Sequence, residues 1–146
     1  MTITSKGLIR AAAACAFAGG FLFAAVQIGH PQLNATSIAT TNVYVRDQFK
    51  ILMAALTLVG ITGLYLSQYR KNGLLGLIGY VVLSAGYLGI LCVVFLAAYV
   101  MPEVAAVQPR YVSNIIAVDT NRGTVVGSFG ALETVIKVQG GAYVVG

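Results

Sequence analysis

Charged residues are scarce in this sequence of 146 residues. Lys, Arg, Asp and Glu make up 9% of the chain and hydrophobic residues 58%, whereas a soluble domain usually has about 25% charged residues. This scarcity argues against a soluble globular protein. The net charge of +5 comes from nine basic residues that are scattered along the chain. Without a basic cluster on one face, we expect no nucleic-acid partner.

Histidine, cysteine and acidic residues are also scarce, with one, two and four copies. One histidine cannot form a bis-His haem site or a His-based metal cluster within one chain. The sequence also lacks the G-x-S-x-G, HExxH and P-loop patterns that carry hydrolytic or phosphate chemistry. We therefore predict that the chain is not an enzyme and holds no cofactor or metal ion.

Three long apolar runs are the main feature of the sequence. They cover residues 11–29, 51–69 and 74–100, and the third contains no charge. At about 1.5 Å per residue, a helix over the third run reaches about 40 Å, more than the ~30 Å apolar core of a bilayer. The first run could instead be a signal peptide, but its length and the lack of an A-x-A cleavage site favour a retained span. The sequence thus predicts an all-α, multi-pass transmembrane bundle that forms one integral membrane domain over residues 1–146.

A fourth stretch, residues 124–146, is long enough to span but contains Glu133 and Lys137. Their i, i+4 spacing favours an ion pair on a helix, and a paired charge inside a span would indicate a functional site. Alternatively, residues 124–139 lie on the surface as an amphipathic helix. We favour this second interpretation because the chain stops on an apolar run. The run would be the first turns of an uncompleted span, and the chain a piece of a longer protein.

Small residues mark where the predicted spans can approach one another closely. On the first span, Ala16 and Gly20 have i, i+4 spacing. The helix-packing positions that we expect on the second and third spans are Gly60, Gly63, Gly76, Gly79, Gly86 and Gly89. Cys15 and Cys92 differ in predicted depth by roughly 15–20 Å. This is too far for a disulfide, so both are expected to be free.

Basic residues flank the predicted spans and indicate their orientation. We predict that long basic side chains anchor the helices by extending to the lipid headgroups; these anchors are Arg46, Lys50, Arg70 and Lys71. Basic residues are densest before residue 11 and in the 70–73 turn. The positive-inside rule therefore predicts an inner (plasma) membrane protein with a cytoplasmic N terminus. Residues 30–48 and 101–123 would form the outer loops, the second with a short helix from about Pro109 to Val118.

Two passages of the chain carry a resemblance to known sequences. GHPQLNATSIATTNVYVRDQFKILMAALTLVGITGLYL and, after a basic turn, GLLGLIGYVVLSAGYLGIL resemble a group of uncharacterised polytopic membrane proteins of actinobacteria and related bacteria. The resemblance covers most of the chain and rests on hydrophobic patterning, a His-Pro-x-Leu motif and a Thr-Thr loop. In that group the region matching residues 140–146 looks like the start of a further span. The resemblance implies no activity for any residue.

Two functions fit these observations. The first is a non-enzymatic protein of the lipid bilayer that packs against itself or a membrane partner through its Gly-lined faces, with the outer loops as recognition surface. The alternative is a small transporter or channel subunit. Its polar pathway would be lined by Thr57, Thr62, Ser84 and the Glu133–Lys137 pair. In a transporter, the Glu133–Lys137 pair would lie inside the helix bundle. In a non-enzymatic packing protein, it would lie at the lipid headgroups.

Overall fold

The chain is almost entirely helical. A computed structural model describes residues 4–120, 125–127 and 130–145, with side chains of the last helix described up to residue 138. The helices are α1 (Ser5–Gln27), α2 (Thr41–Tyr99), α3 (Met101–Val107), α4 (Pro109–Thr120) and α5 (Ala131–Val145), with a 3-10 turn at Ser37–Ala39. No strand occurs in these ranges, which confirms the predicted all-α class.

Helix α1 has a defined start and a defined end. The backbone N–H of Gly7 donates to Thr4 Oγ1 at 3.2 Å, so Thr4 caps the first turn. The helix ends before Gly29, which has a φ of 63°. Only glycine adopts this left-handed conformation without strain, and it commonly follows a helix. Pro31 then prevents the helix from resuming. The predicted first span, 11–29, lies almost wholly inside α1.

Helix α2 folds back on itself at Gly73. This residue has φ 55° and ψ −158°, which are not helical angles. The first arm, residues 41–72, and the second arm, residues 74–99, then run antiparallel. The Tyr65 and Tyr80 rings stack with centroids 4.5 Å apart, and Tyr99 Oη donates to Gln48 Oε1 at 2.8 Å across the far ends of the arms. The tight turn predicted at 70–73 is therefore present.

The first arm begins at Thr41, ten residues before the predicted second span. The sequence prediction placed residues 41–48 in the outer loop 30–48, with Thr40, Thr41 or Asn42 as the N-cap of a helix leading into the second span. The structure has Thr40 at the N-cap, so these residues are helical. The polar side chains there are used within the fold: Asn42 accepts a hydrogen bond from Arg46, and Asp47 pairs with Lys50. Such pairs three or four residues apart stabilise a helix rather than end it.

Two helices, α1 and α2, are long and apolar enough to cross a membrane. Helix α2 contains both arms, which are joined at Gly73.

The other helices cover one end of the hairpin. We call the 3-10 turn, α3 and α4 together the helical cap. Their buried apolar residues form one cluster with the end of α2 and with α5. The cluster contains Ile38, Val43, Met101, Ala105, Val112, Ile115, Ile116 and Ile136. The predicted outer loop 101–123 is thus mostly two helices, and the short helix expected from Pro109 is present as α4.

Candidate functional site

Small residues allow α1 to lie directly against the first arm of α2. A Cβ atom added at Gly60 would lie 2.6 Å from Ala16 Cβ and 2.7 Å from Ala16 Cα, and one added at Gly63 would overlap Ala12 Cβ. On the α1 side, a Cβ added at Gly19 would lie 2.5 Å from Thr57 Oγ1. We call this contact the α1–α2 seam.

The predicted small pair on α1 was half wrong. Ala16 lies in the α1–α2 seam, but the Cβ position of Gly20 has no described atom within 4 Å. Residues 12, 16 and 19 share one face through i, i+4 and i+7 spacing, so Gly19 takes the place that we expected for Gly20. The spacing of Ala12, Ala16 and Gly19 in the sequence is that of one helix face. It could not be distinguished from other small-residue faces, because α1 contains many alanines.

The glycines of the second arm do not form one packing groove. The nearest atom to the Cβ position of Gly76 belongs to Asn72, just across the Gly73 turn, and Gly79 faces open space among the described residues. Gly86 is buried and Gly89 half-buried. Gly76 and Gly79 therefore make no contact with another described helix, and packing of this stripe against a second copy stays a prediction.

The threonines proposed for a polar pathway are bonded within the fold. Thr57 Oγ1 donates to the Met53 carbonyl and Thr62 Oγ1 to the Leu58 carbonyl, each at 2.8 Å. Thr62 Oγ1 also lies 3.3 Å from Tyr80 Oη. Hydroxyls that bond back to the preceding turn of their own helix are no evidence of a water-filled path. The Ser84 hydroxyl is buried and has no partner among the described residues.

Glu133 and Lys137 form the expected ion pair, with Lys137 Nζ 2.7 Å from Glu133 Oε1. The Lys137 side chain is 63% exposed. Leu132 and Ile136, on the same two turns, pack on the buried cluster of the helical cap. This part of α5 therefore lies beside the cap, at the end of the arms and not midway along them. The side chains of residues 139–145 are outside the described part.

A second ion pair is buried where the helical cap meets the bundle. Lys50 Nζ lies 2.9 Å from Asp47 Oδ1, and the side chains are 18% and 4% exposed. Burial raises the pKa of the Asp119 carboxyl on α4, while Lys50 lowers it and Asp47 raises it further. Helix α4 therefore brings another acid to this pair. The i, i+3 spacing of Asp47 and Lys50 predicts this contact on a helix. The role of Lys50 as a headgroup anchor stays a prediction.

Arg46 also has a role other than the simple anchor that the sequence predicted. Its Nη1 donates to the carbonyls of Val26 and Ile28, each at 3.0 Å, and its Nε donates to Asn42 Oδ1 at 2.8 Å. A cation at the C terminus of a helix satisfies unpaired carbonyls and interacts favourably with the helix dipole. Arg46 thus fixes the end of α1 to the start of α2. Arg70 and Lys71 are exposed at the opposite end of the bundle, beside Gly73.

A polar cleft of about 810 Å³ lies between residues 27–34 and α4. Its hydrogen-bonding side chains are Gln27, His30, Gln32, Asn34, Ser113 and Thr120. His30 Nδ1 lies 2.8 Å from the Pro31 carbonyl. Because a carbonyl only accepts, Nδ1 is the donor in this contact. The described residues contain no group of three or more His, Cys, Asp or Glu side chains that could hold a metal ion.

Comparison with known proteins does not add a function. No protein-family model, no curated protein and no solved structure matches the chain. The resemblance to actinobacterial membrane proteins therefore stays a prediction.

Both cysteines, Cys15 and Cys92, are free as expected.

Proposed function

We propose that the chain is a multi-pass plasma-membrane protein that crosses the bilayer three times and acts without catalysis, as a recognition module. Helix α1 and the two arms of α2 are the three crossings. The N terminus and the Gly73 turn lie in the cytoplasm, and the helical cap lies outside. The cap and its polar cleft would bind a partner.

The distribution of polar and apolar surface supports this proposal best. Large apolar side chains along α1 and the arms are exposed, with Phe17 at 79% and Leu75 at 82%. Contiguous apolar surface of this kind is unfavourable in water and suits the lipid tails of a bilayer. The polar cleft, by contrast, lies only at the capped end. A helix of 23 residues such as α1 reaches about 35 Å, enough to cross the apolar core.

The alternative of a transporter or channel subunit has less support. Its pathway depends on Thr57, Thr62, Ser84 and the Glu133–Lys137 pair, and among these the Ser84 hydroxyl is buried without a partner among the described residues. The two threonine hydroxyls are bonded to their own helix, and the ion pair lies beside the cap. Among the described residues, the buried charged group is Asp47, at the end of an arm and paired with Lys50.

The proposal also includes a possible homo-oligomer, in which two copies of the chain pack against each other in the membrane. Because α1 covers Gly60 and Gly63 within the chain, a homo-oligomer would use another face of the bundle.

Single-cysteine labelling with a membrane-impermeant reagent tests both parts of the proposal. In a variant without Cys15 and Cys92, we expect Ser113→Cys in the cleft to react in intact cells. Asn72→Cys, at the Gly73 turn, should react only after permeabilisation. If a partner binds the cleft, Ser113→Cys should also react more slowly relative to Val107→Cys in cells than in the purified protein.

The opposite pattern would contradict the proposal. If both Asn72→Cys and Ser113→Cys react from the same side, the arms do not cross the membrane as proposed. If the Ser113→Cys to Val107→Cys rate ratio is equal in cells and in the purified protein, the cleft is not a recognition surface. Val107 is the matched control because it is 80% exposed and lies on the cap outside the cleft.

A further inference from the structure

An apolar groove of about 550 Å³ lies between the end of α1 and the start of α2. Its walls include Leu22 and Ala25 on α1 and Val45 and Phe49 on α2. Val45 and Phe49 are 45% and 47% exposed. The groove is therefore an open apolar channel along the side of the bundle, and its upper end lies where α1 leaves the proposed bilayer.

One charged side chain lies at the polar end of this groove. This side chain is Arg46, the charged residue among the described residues that line the groove. Thr41 and Asn42 are the polar residues of the lining. The acid next in sequence, Asp47, is bound to Lys50 and is not part of the groove lining. The groove thus combines an apolar wall with an unneutralised positive charge.

The guanidinium group of Arg46 is held in place before any ligand binds. Nη1 and Nε make three hydrogen bonds to Val26, Ile28 and Asn42. The Nη2 atom makes none to a described residue and lies beside the backbone of Gly29, whose added Cβ would be 3.7 Å away. A guanidinium group that is fixed in place and has a free N–H donor is well suited to hydrogen-bond a phosphate oxygen.

We propose that this groove binds one anionic phospholipid, with its phosphate at Arg46 Nη2 and an acyl chain against Leu22, Ala25 and Phe49. The charge at one end and the apolar wall below it match the two parts of such a lipid, because a guanidinium group makes charge-assisted hydrogen bonds to phosphate oxygens. This site rests on the proposed function, because a bilayer lipid reaches the groove only if α1 and α2 lie in the membrane.

Native mass spectrometry of the detergent-purified chain tests the lipid site. The probes are phosphatidylglycerol and phosphatidylcholine with identical acyl chains. Both lipids carry the phosphate, but the choline ammonium group of phosphatidylcholine cancels the net negative charge and would be repelled by Arg46. We therefore expect one phosphatidylglycerol to bind about tenfold more tightly than phosphatidylcholine. Arg46→Gln and Ala25→Phe should each abolish this preference, the first by removing the cation and the second by filling the groove.

Two matched variants separate the site from general effects. Arg70→Gln removes the same charge at the opposite end of the bundle, and Ala24→Phe adds the same ring on a neighbouring exposed position that does not line the groove. Both should retain the preference. Ala25→Phe leaves the hydrogen bonds of Arg46 intact, so the test remains decisive even if Arg46→Gln loosens the end of α1.

Two results would overturn the proposal. One is equal binding of the two lipids, and the other is an equal loss of the phosphatidylglycerol preference in Ala25→Phe and Ala24→Phe. Displacement of the lipid by inorganic phosphate at the same concentration would also overturn it, because the site would then recognise phosphate alone. Alkaline carbonate washing of cell membranes distinguishes failure of the broader function. If the chain is released, it is not an integral membrane protein; if it is retained without a lipid preference, only the lipid site is wrong.

Discussion

Replacing Gly60 with leucine is expected to separate α1 from α2 and to reduce the free energy of unfolding by about 3 kcal/mol or more. A Cβ at this position would lie 2.7 Å from Ala16 Cα and 2.8 Å from Ala16 N. These are backbone atoms, so no side-chain rotation can relieve the overlap and α1 itself must move. Movement of α1 would also open the contacts at Gly63 and Gly19. Thermal unfolding in detergent, followed by circular dichroism, measures the effect.

Gly79→Leu is the matched control for the α1–α2 seam. It introduces the same side chain on the same helix, but the Cβ position of Gly79 has no described atom within 4 Å. We expect a change within about 0.5 kcal/mol, which is typical of a surface substitution. If Gly60→Leu and Gly79→Leu were equally destabilising, the effect would arise from the helix backbone and α1 would not pack at Gly60.

Replacing Asp47 with alanine is expected to destabilise the protein by about 3–5 kcal/mol, because it leaves the Lys50 ammonium group unpaired in a buried position. The Asp47 side chain is 4% exposed and that of Lys50 18%. Chemical unfolding in detergent measures the loss, and protease sensitivity of α4 would report whether the cap detaches.

The ion pair on α5 supplies the control for the buried pair. Glu133→Ala removes the acid of the Glu133–Lys137 pair. Its Nζ–Oε1 distance of 2.7 Å is similar to that of the buried pair, but the Lys137 side chain is 63% exposed. Exposed pairs contribute about 0.2–1 kcal/mol, so we expect a small effect. The double variant Asp47→Leu, Lys50→Met should recover most of the stability, because apolar replacement of a buried pair is often neutral. Losses of equal size for Asp47→Ala and Glu133→Ala would show that the pair is not buried in the folded protein.

The helical class and the apolar runs could be predicted because they are local properties of the sequence. A run such as residues 74–100 is apolar whatever it packs against, and a glycine between two such runs predicts a turn. The positions of Gly60 and Gly63 also suggested close packing. Their partner could not be identified, because the choice of Ala12, Ala16 and Gly19 depends on how α1 is rotated.

The α4 helix of the cap was predicted, but its packing partners could not be identified, because they too depend on the folded chain. Val112, Ile115 and Ile116 are spaced as one face of a helix, but only the folded chain brings Ile38, Met101 and Ile136 onto that face. Likewise, Arg46 and Lys50 have the sequence pattern of interfacial anchors. The partner of Arg46 is the end of α1, 18 and 20 residues away, whereas the contact of Lys50 with Asp47 follows from their i, i+3 spacing.

The fold of α2 at Gly73 is tested most directly by a distance measurement in lipid bilayers. Nitroxide labels at Gln48→Cys and Tyr99→Cys, with Cys15 and Cys92 replaced by alanine, can be measured by double electron–electron resonance. The hairpin predicts the short distance of neighbouring helices, whose axes lie about 8–10 Å apart. A continuous α2 would place these positions, 51 residues apart, about 76 Å from each other. A distance of that size would contradict three crossings by α1 and the two arms.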